Sequence, residues 1–189
     1  MANSYLPSRR AETLHERVAR FESLAKTKPG LTADSLSIAL VTELETFTDS
    51  VLEDLIDQSE ARDSGFGREL IKSIGTQFYQ SWPERKKWLR SFDSWVDDIS
   101  EREVLTLVDL RNSIAHGGGH LTRKQRSEFT KLVSLELNLK EVIDYTTEGG
   151  QLFAGKNSLN RIFQISRRYL RCLDEASCRR YPYLITAGY

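Results

Sequence analysis

Apolar side chains recur along this chain at steps of three and four residues, the spacing of one face of an α-helix. The longest such pattern lies over about 32–60 and consists of Leu36, Leu40, Val41, Leu44, Phe47, Val51 and Leu55. Further patterns of this kind cover about 8–28, 68–80, 100–117, 122–135 and 157–177, and a shorter one lies around 88–92. The chain is therefore predicted to be all-α, an antiparallel bundle of about five to six helices.

Several helix boundaries carry local signals. Pro29-Gly30 is predicted to stop the first helix. Ser100 and Thr122 are each followed three residues later by Glu or Gln, the pattern of a capping box at a helix start. Gly117–Gly119 is predicted to end the helix that begins at Ser100, because glycine readily adopts the left-handed conformation of a helix C-terminus.

One region departs from the helical pattern. Leu135, Leu137 and Leu139 alternate with polar residues, which indicates an extended segment. Glu148–Gly150 is predicted to form a turn. A short hairpin is therefore expected somewhere around 135–155.

The length favours one helical domain over residues 1–189, with 181–189 as a tail. No apolar run approaches the ~20 residues of a membrane span. Met1–Tyr5 lacks the apolar segment of a secretory signal. Cys172 and Cys178 do not suffice for a disulfide framework or a zinc site. We expect a reduced, cytoplasmic protein with no membrane association, no metal and no cofactor.

The formal net charge is zero, with 27 basic and 27 acidic residues. Residues 156–189 nevertheless hold seven basic side chains against Asp174 and Glu175, which leaves this segment at +5. Arg167 and Arg171 are one helical turn apart there and are candidates for binding RNA phosphates. The alternative is that this helix presents an ordinary solvated charged face.

Three tryptophans, Trp82, Trp88 and Trp95, lie close together in the sequence. Aromatic rings at such a density are able to form a stacking platform for bases. The more common arrangement places them in a hydrophobic core or a dimer interface, and we favour that interpretation.

The stretch most suggestive of chemistry is Asp109–Gly117, at the end of a predicted helix. Arg111 falls in the middle of the apolar face of that helix, where a guanidinium requires an anion or hydrogen-bond acceptors. Asn112 and His116 are four residues apart and share another edge of the helix. The glycines that follow allow a ligand or another chain to approach closely.

Arg111, with Asn112 next to it, His116 four residues further on and then Gly117, resembles the signature of the HEPN superfamily. The order and length of the predicted helices are similar to that superfamily over most of the chain, and the prokaryotic RiboL-PSP-HEPN-like group is the most similar. The long second helix, which contains Glu45, resembles the family helix that often holds an acidic residue.

The resemblance implies a metal-independent endoribonuclease in which the 2′-hydroxyl attacks the adjacent phosphorus. His116 then acts as acid or base, Arg111 binds phosphate oxygens, and Asn112 orients substrate or imidazole. It further implies a homodimer with a shared cleft, and a role as a toxin or antiviral-defence effector restrained by an antitoxin or regulatory protein. The alternative is a non-catalytic HEPN module that binds nucleotide, RNA or a partner protein.

The helix geometry separates the two key side chains. Arg111 and His116 are five residues apart and point about 140° from each other. A two-fold dimer removes this difficulty by bringing two copies of each residue together. Glu43 and Glu45 both flank the apolar face of their helix and are candidates to orient Arg111, in either a catalytic or a purely structural pair, and the resemblance favours Glu45. His120, in the glycine-rich loop, either assists the site or is incidental.

Overall fold

The computed structural model describes residues 5–28 and 32–186. These residues contain seven α-helices, three 3-10 helices and one two-stranded antiparallel sheet. The predicted all-α class is therefore confirmed, with one α-helix more than expected. In the part of the chain so described, no helix is long and apolar enough to cross a membrane.

In chain order the elements are α1 (Arg9–Thr27), α2 (Ala33–Asp57), α3 (Gly65–Ile74), α4 (Trp82–Ser91), α5 (Asp98–Gly117), α6 (Phe129–Ile143), β1 (Tyr145–Glu148), β2 (Gln151–Ala154) and α7 (Ser158–Arg180). The 3-10 helices are Glu60–Asp63, Gly75–Tyr79 and Pro182–Ile185, so the expected tail begins with a short helical turn. The predicted stop at Pro29-Gly30 lies outside the described residues.

The chain divides into two compact units. The first unit comprises Met1–Leu14, Leu44–Asp97 and Leu170–Tyr189, and the second comprises His15–Glu43 and Asp98–Tyr169. The helices α1, α2 and α7 contribute residues to both. That residues 1–189 form a single domain stays a prediction.

In the first unit, a buried arginine joins α4 to α2. Arg85 is only 7% exposed, and its Nε and Nη2 donate to the two carboxylate oxygens of Asp49 at 2.6 and 2.8 Å. Trp82 lies beside it and donates from Nε1 to Glu45 at 2.9 Å. A bidentate ion pair of this kind offsets the free-energy cost of removing the guanidinium from water.

The tryptophans belong to this same unit. Trp82 is buried, while Trp88 and Trp95 are half-buried. The Trp88 ring packs on Phe78 with centroids 4.6 Å apart. The preference for a core position is confirmed for Trp82.

Another buried carboxylate holds the start of α1. Asp174 on α7 accepts hydrogen bonds from Tyr5 Oη at 2.6 Å and from Ser8 N at 2.8 Å. Cys178 Sγ also donates to it, at 3.6 Å. Burial, with the Asp174 charge next to it, raises the pKa of the Cys178 thiol to about 12. This thiol is therefore protonated at neutral pH and is a poor nucleophile.

In the second unit, two predicted helix starts are wrong. The helix α5 begins at Asp98, so the buried Ser100 lies inside its first turn and is not a cap. Thr122 and Gln125 do form the reciprocal bonds of a capping box, at 2.9 and 3.3 Å. They close only a turn, and α6 does not begin until Phe129.

The hairpin is confirmed, but only over its second half. Tyr145–Glu148 pairs with Gln151–Ala154 across the predicted glycine turn. Leu135, Leu137 and Leu139 are helical rather than extended. Leu135 and Leu139 lie one helical turn apart and are both buried, whereas Leu137 is 51% exposed. The alternating leucines therefore belong to an amphipathic helix and not to a strand.

Candidate functional site

The three motif residues lie on the last two turns of α5. Arg111 and Asn112 are half-buried, and His116 is exposed. Beyond the helix, Gly118 and Gly119 have φ angles of 60° and 85°. The prediction that glycine ends this helix is confirmed, and these angles are costly for residues with a Cβ atom.

The glycine loop after α5 is held by the hairpin. Leu121 N donates to Gly150 O at 2.7 Å, and Leu152 N donates to Gly119 O at 2.9 Å. His120 lies between these two bonds with its side chain exposed. Backbone hydrogen bonds to the hairpin therefore hold the segment that follows His116 in place.

Gln125 links the turn after this loop to α5. Its Oε1 accepts from Ser113 Oγ and from Thr122 N, each at 2.9 Å. Its Nε2 donates to Asp109 O at 3.0 Å. Ser113 is fully buried, so this network satisfies polar groups that water does not reach.

A groove of about 780 Å³ lies between α5, α6 and this turn. Asn112 and His116 line it from α5, Lys124 lines it from the turn, and Lys131 and Asn138 line it from α6. Two ammonium groups and an imidazole thus border one concave surface, and one of the ammonium groups, that of Lys131, also pairs with Glu128 at 2.7 Å. Such a surface attracts phosphate groups and places a proton-transferring side chain beside them.

Arg111 is not among the residues that line the groove. Its Nε atom is buried, and it lies on a different face of α5 from His116. Within one chain, the structure therefore brings Asn112 and His116 together and separates both from Arg111.

Neither of the two predicted supporting residues is among those that line the groove. Glu45 belongs to the first unit, where it accepts from Trp82 and lies 3.9 Å from Arg85. Its pairing with Arg111 stays a prediction. The side chain of His120 is exposed and does not line the groove.

The predicted phosphate-binding arginines of α7 both have acidic neighbours. Arg167 is half-buried and donates to Glu22 at 2.5 Å, which lowers the pKa of that carboxyl. Arg171 lies 4.0 Å from Glu175 and stacks over the ring of Tyr5. RNA has to compete with these contacts, and phosphate binding by either arginine stays a prediction.

Asp109 also lines the groove, although it was not predicted as a site residue. Asp109, Asn112 and His116 lie at positions i, i+3 and i+7, which is one stripe of a helix, and all three line the groove. Burial raises the pKa of the Asp109 carboxyl, and the Gln125 hydrogen bond and the Lys124 charge partly oppose this shift. The helical spacing was the available signal. Lys124 and Lys131 had no such signal, because they lie outside α5.

Within residues 5–28 and 32–186, no three His, Cys, Asp or Glu side chains gather as a set of metal ligands. No protein-family model, curated protein or solved structure matches the chain.

Proposed function

We propose that this protein is an endoribonuclease that cleaves RNA by attack of a 2′-hydroxyl on the adjacent phosphorus. The observation that carries the proposal is the groove, in which exposed His116 and half-buried Asn112 lie with Lys124 and Lys131. RNA supplies its own nucleophile in this reaction. The protein needs only to move protons and to stabilise negative charge on the phosphorane.

The proposed chemistry assigns a step to each side chain. His116 takes the proton from the 2′-hydroxyl or delivers one to the departing 5′-oxygen. The P–O5′ bond breaks as the 2′-O–P bond forms, which leaves a 2′,3′-cyclic phosphate and a 5′-hydroxyl. Lys124 and Lys131 offset the charge on the phosphorane oxygens, and Asn112 orients the ribose or the imidazole.

Arg111 requires a second chain under this proposal, because it does not line the groove of its own chain. We propose a two-fold homodimer in which Arg111 of the partner subunit reaches the phosphate bound near His116. The planar fork of arginine is suited to binding two phosphate oxygens at once.

The resemblance to HEPN proteins is the basis for the biological part of the proposal. We propose a cytoplasmic toxin or antiviral-defence effector that requires restraint by an antitoxin or another regulatory protein. The RNA-cleaving chemistry does not depend on this assignment and is tested separately.

The test is cleavage of a labelled RNA by the purified full chain in excess EDTA, with His116→Ala in parallel. We expect the wild type to produce cyclic-phosphate ends and the variant to be slower by about a hundredfold or more. Thermal melting checks that the variant is folded. Equal cutting by both proteins would contradict the assignment of His116.

A non-catalytic RNA- or nucleotide-binding module is the second candidate. The separation of Arg111 from the groove favours it, because one chain then holds an incomplete catalytic set. Such a module binds RNA in the groove without cutting it, and binding survives in His116→Ala. An RNA-binding measurement on the same two proteins distinguishes the candidates.

A further inference from the structure

Asp109 lies in the groove at a defined distance from the proposed proton-transfer group. It precedes His116 by seven residues on the same face of α5, which corresponds to about 10 Å along the helix axis. This rise is measured between backbone positions and is comparable with the span of one nucleotide, from its phosphate to the far edge of its base. The two side chains are therefore placed to contact different parts of one nucleotide.

The backbone of Asp109 is held by two side chains. Its main-chain carbonyl oxygen accepts from Gln125 Nε2 at 3.0 Å and from Ser113 Oγ at 2.9 Å. The residue is half-buried, and the charge of Lys124 partly compensates for the burial of its carboxyl. The Asp109 carboxylate therefore extends from a fixed stretch of helix and is partly removed from water.

We propose that Asp109 is a specificity-determining residue that recognises a guanine base in the groove, an inference that rests on the proposed RNA-binding function. Among the four RNA bases, only guanine presents two adjacent donors, N1–H and N2–H, on its pairing edge. A carboxylate accepts both at once, and exposed edges of unpaired bases are what proteins read in single-stranded RNA.

The other bases leave the carboxylate poorly satisfied. Adenine and cytosine offer a single amino donor next to an acceptor nitrogen, and uracil flanks its one N–H with two carbonyl oxygens. A partly buried carboxylate without its hydrogen bonds is costly, which is how a polar site rejects an analogue that lacks a donor.

The test is calorimetric titration of the full chain with guanosine, inosine and adenosine 3′-monophosphates. We expect guanosine 3′-monophosphate to bind at least about tenfold more tightly than the adenosine nucleotide. Inosine 3′-monophosphate lacks the N2 amino group and is expected to bind with intermediate affinity. This comparison uses the wild type and does not depend on how well any variant folds.

Asp109→Asn is expected to reduce the guanosine preference to about threefold or less, because an amide presents a donor to N1–H or N2–H. Asp63→Asn, an exposed aspartate of the first unit, is the matched control and is expected to keep the preference. Equal binding of the guanosine and adenosine nucleotides by the wild type would overturn the proposal. So would an unchanged preference in Asp109→Asn.

The two proposals fail in different ways. A guanosine preference without RNA cleavage contradicts the nuclease and supports the guanine subsite. Cleavage that is independent of base identity supports the nuclease and contradicts the guanine subsite.

Discussion

Gly155 occupies a position at which no side chain fits. A Cβ atom there would lie 2.5 Å from the backbone O, Cγ and Oδ2 of Asp144. Asp144 ends α6 in the left-handed conformation and accepts from Gly155 N at 2.7 Å. Its carboxylate also accepts from Asn157 N at 2.8 Å, just before α7. This glycine thus permits the close approach that joins α6 to α7.

Gly155→Ala is expected to lower the free energy of unfolding by about 1–3 kcal/mol, because the backbone has to move to admit the methyl group. Urea denaturation measures the change. The control is Gly65→Ala, where the nearest atom to the new Cβ is the end of Arg68 at 4.0 Å. A similar loss in both variants would contradict the argument.

Asp109 is expected to reduce stability at neutral pH. Its raised pKa means that the folded protein holds the proton to higher pH than the unfolded chain. Stability therefore falls as the pH rises through the titration of Asp109, and Asn removes this fall. The other titratable groups lining the groove are His116, Lys124 and Lys131.

The stability of Asp109→Asn relative to the wild type is expected to be more favourable at about pH 7 than at about pH 4. Chemical denaturation at the two pH values measures this, with Asp63→Asn as the reference for a solvent-exposed aspartate. A relative stability that does not change with pH would show that the Asp109 carboxyl titrates alike in the folded and unfolded states.

At the scale of elements, the same local signals led to different outcomes. Thr122 and Gln125 made the predicted capping bonds, yet α6 begins only at Phe129. Gln125 also binds Ser113 on α5, a contact that the local pattern did not predict. Leu135 and Leu139 are helical despite their alternating pattern, and both are buried on one face of α6. Neither outcome follows from the local pattern alone.

Gln125→Met is expected to destabilise the second unit, because it removes the acceptor for Ser113 and Thr122 while keeping a similar volume. A loss of about 1–3 kcal/mol is expected for leaving such buried donors unsatisfied. Thermal and urea unfolding measure it. Gln164→Met, at an exposed position of α7, is the control and is expected to change stability little.

At the scale of the whole molecule, the excess positive charge near the C-terminus is partly offset by carboxylates outside that segment. Arg167 pairs with Glu22, and Arg168 pairs with Glu103 at 2.6 Å. Arg180 lies 4.0 Å from Asp93. The net charge of +5 counted over residues 156–189 therefore overestimates the positive charge that this segment offers to RNA phosphates.

The proposed homodimer predicts complementation between two inactive chains. If each site takes Arg111 from one chain and His116 from the other, mixing Arg111→Ala with His116→Ala restores one intact site in each mixed dimer. Random exchange is then expected to recover about a quarter of the wild-type cleavage. Analytical ultracentrifugation measures the oligomeric state. A monomer that cuts RNA would contradict the composite site.

The sequence by itself determined the all-α class, the glycine end of α5 and the shared edge of Asn112 and His116. These features depend on helical periodicity and on glycine conformation, both of which are local. Only the tertiary structure placed two lysines in a groove along that edge and left Arg111 outside the groove. It also showed which carboxylates the arginines of α7 contact. Burial and pairing depend on residues distant in the chain, which a local pattern does not encode.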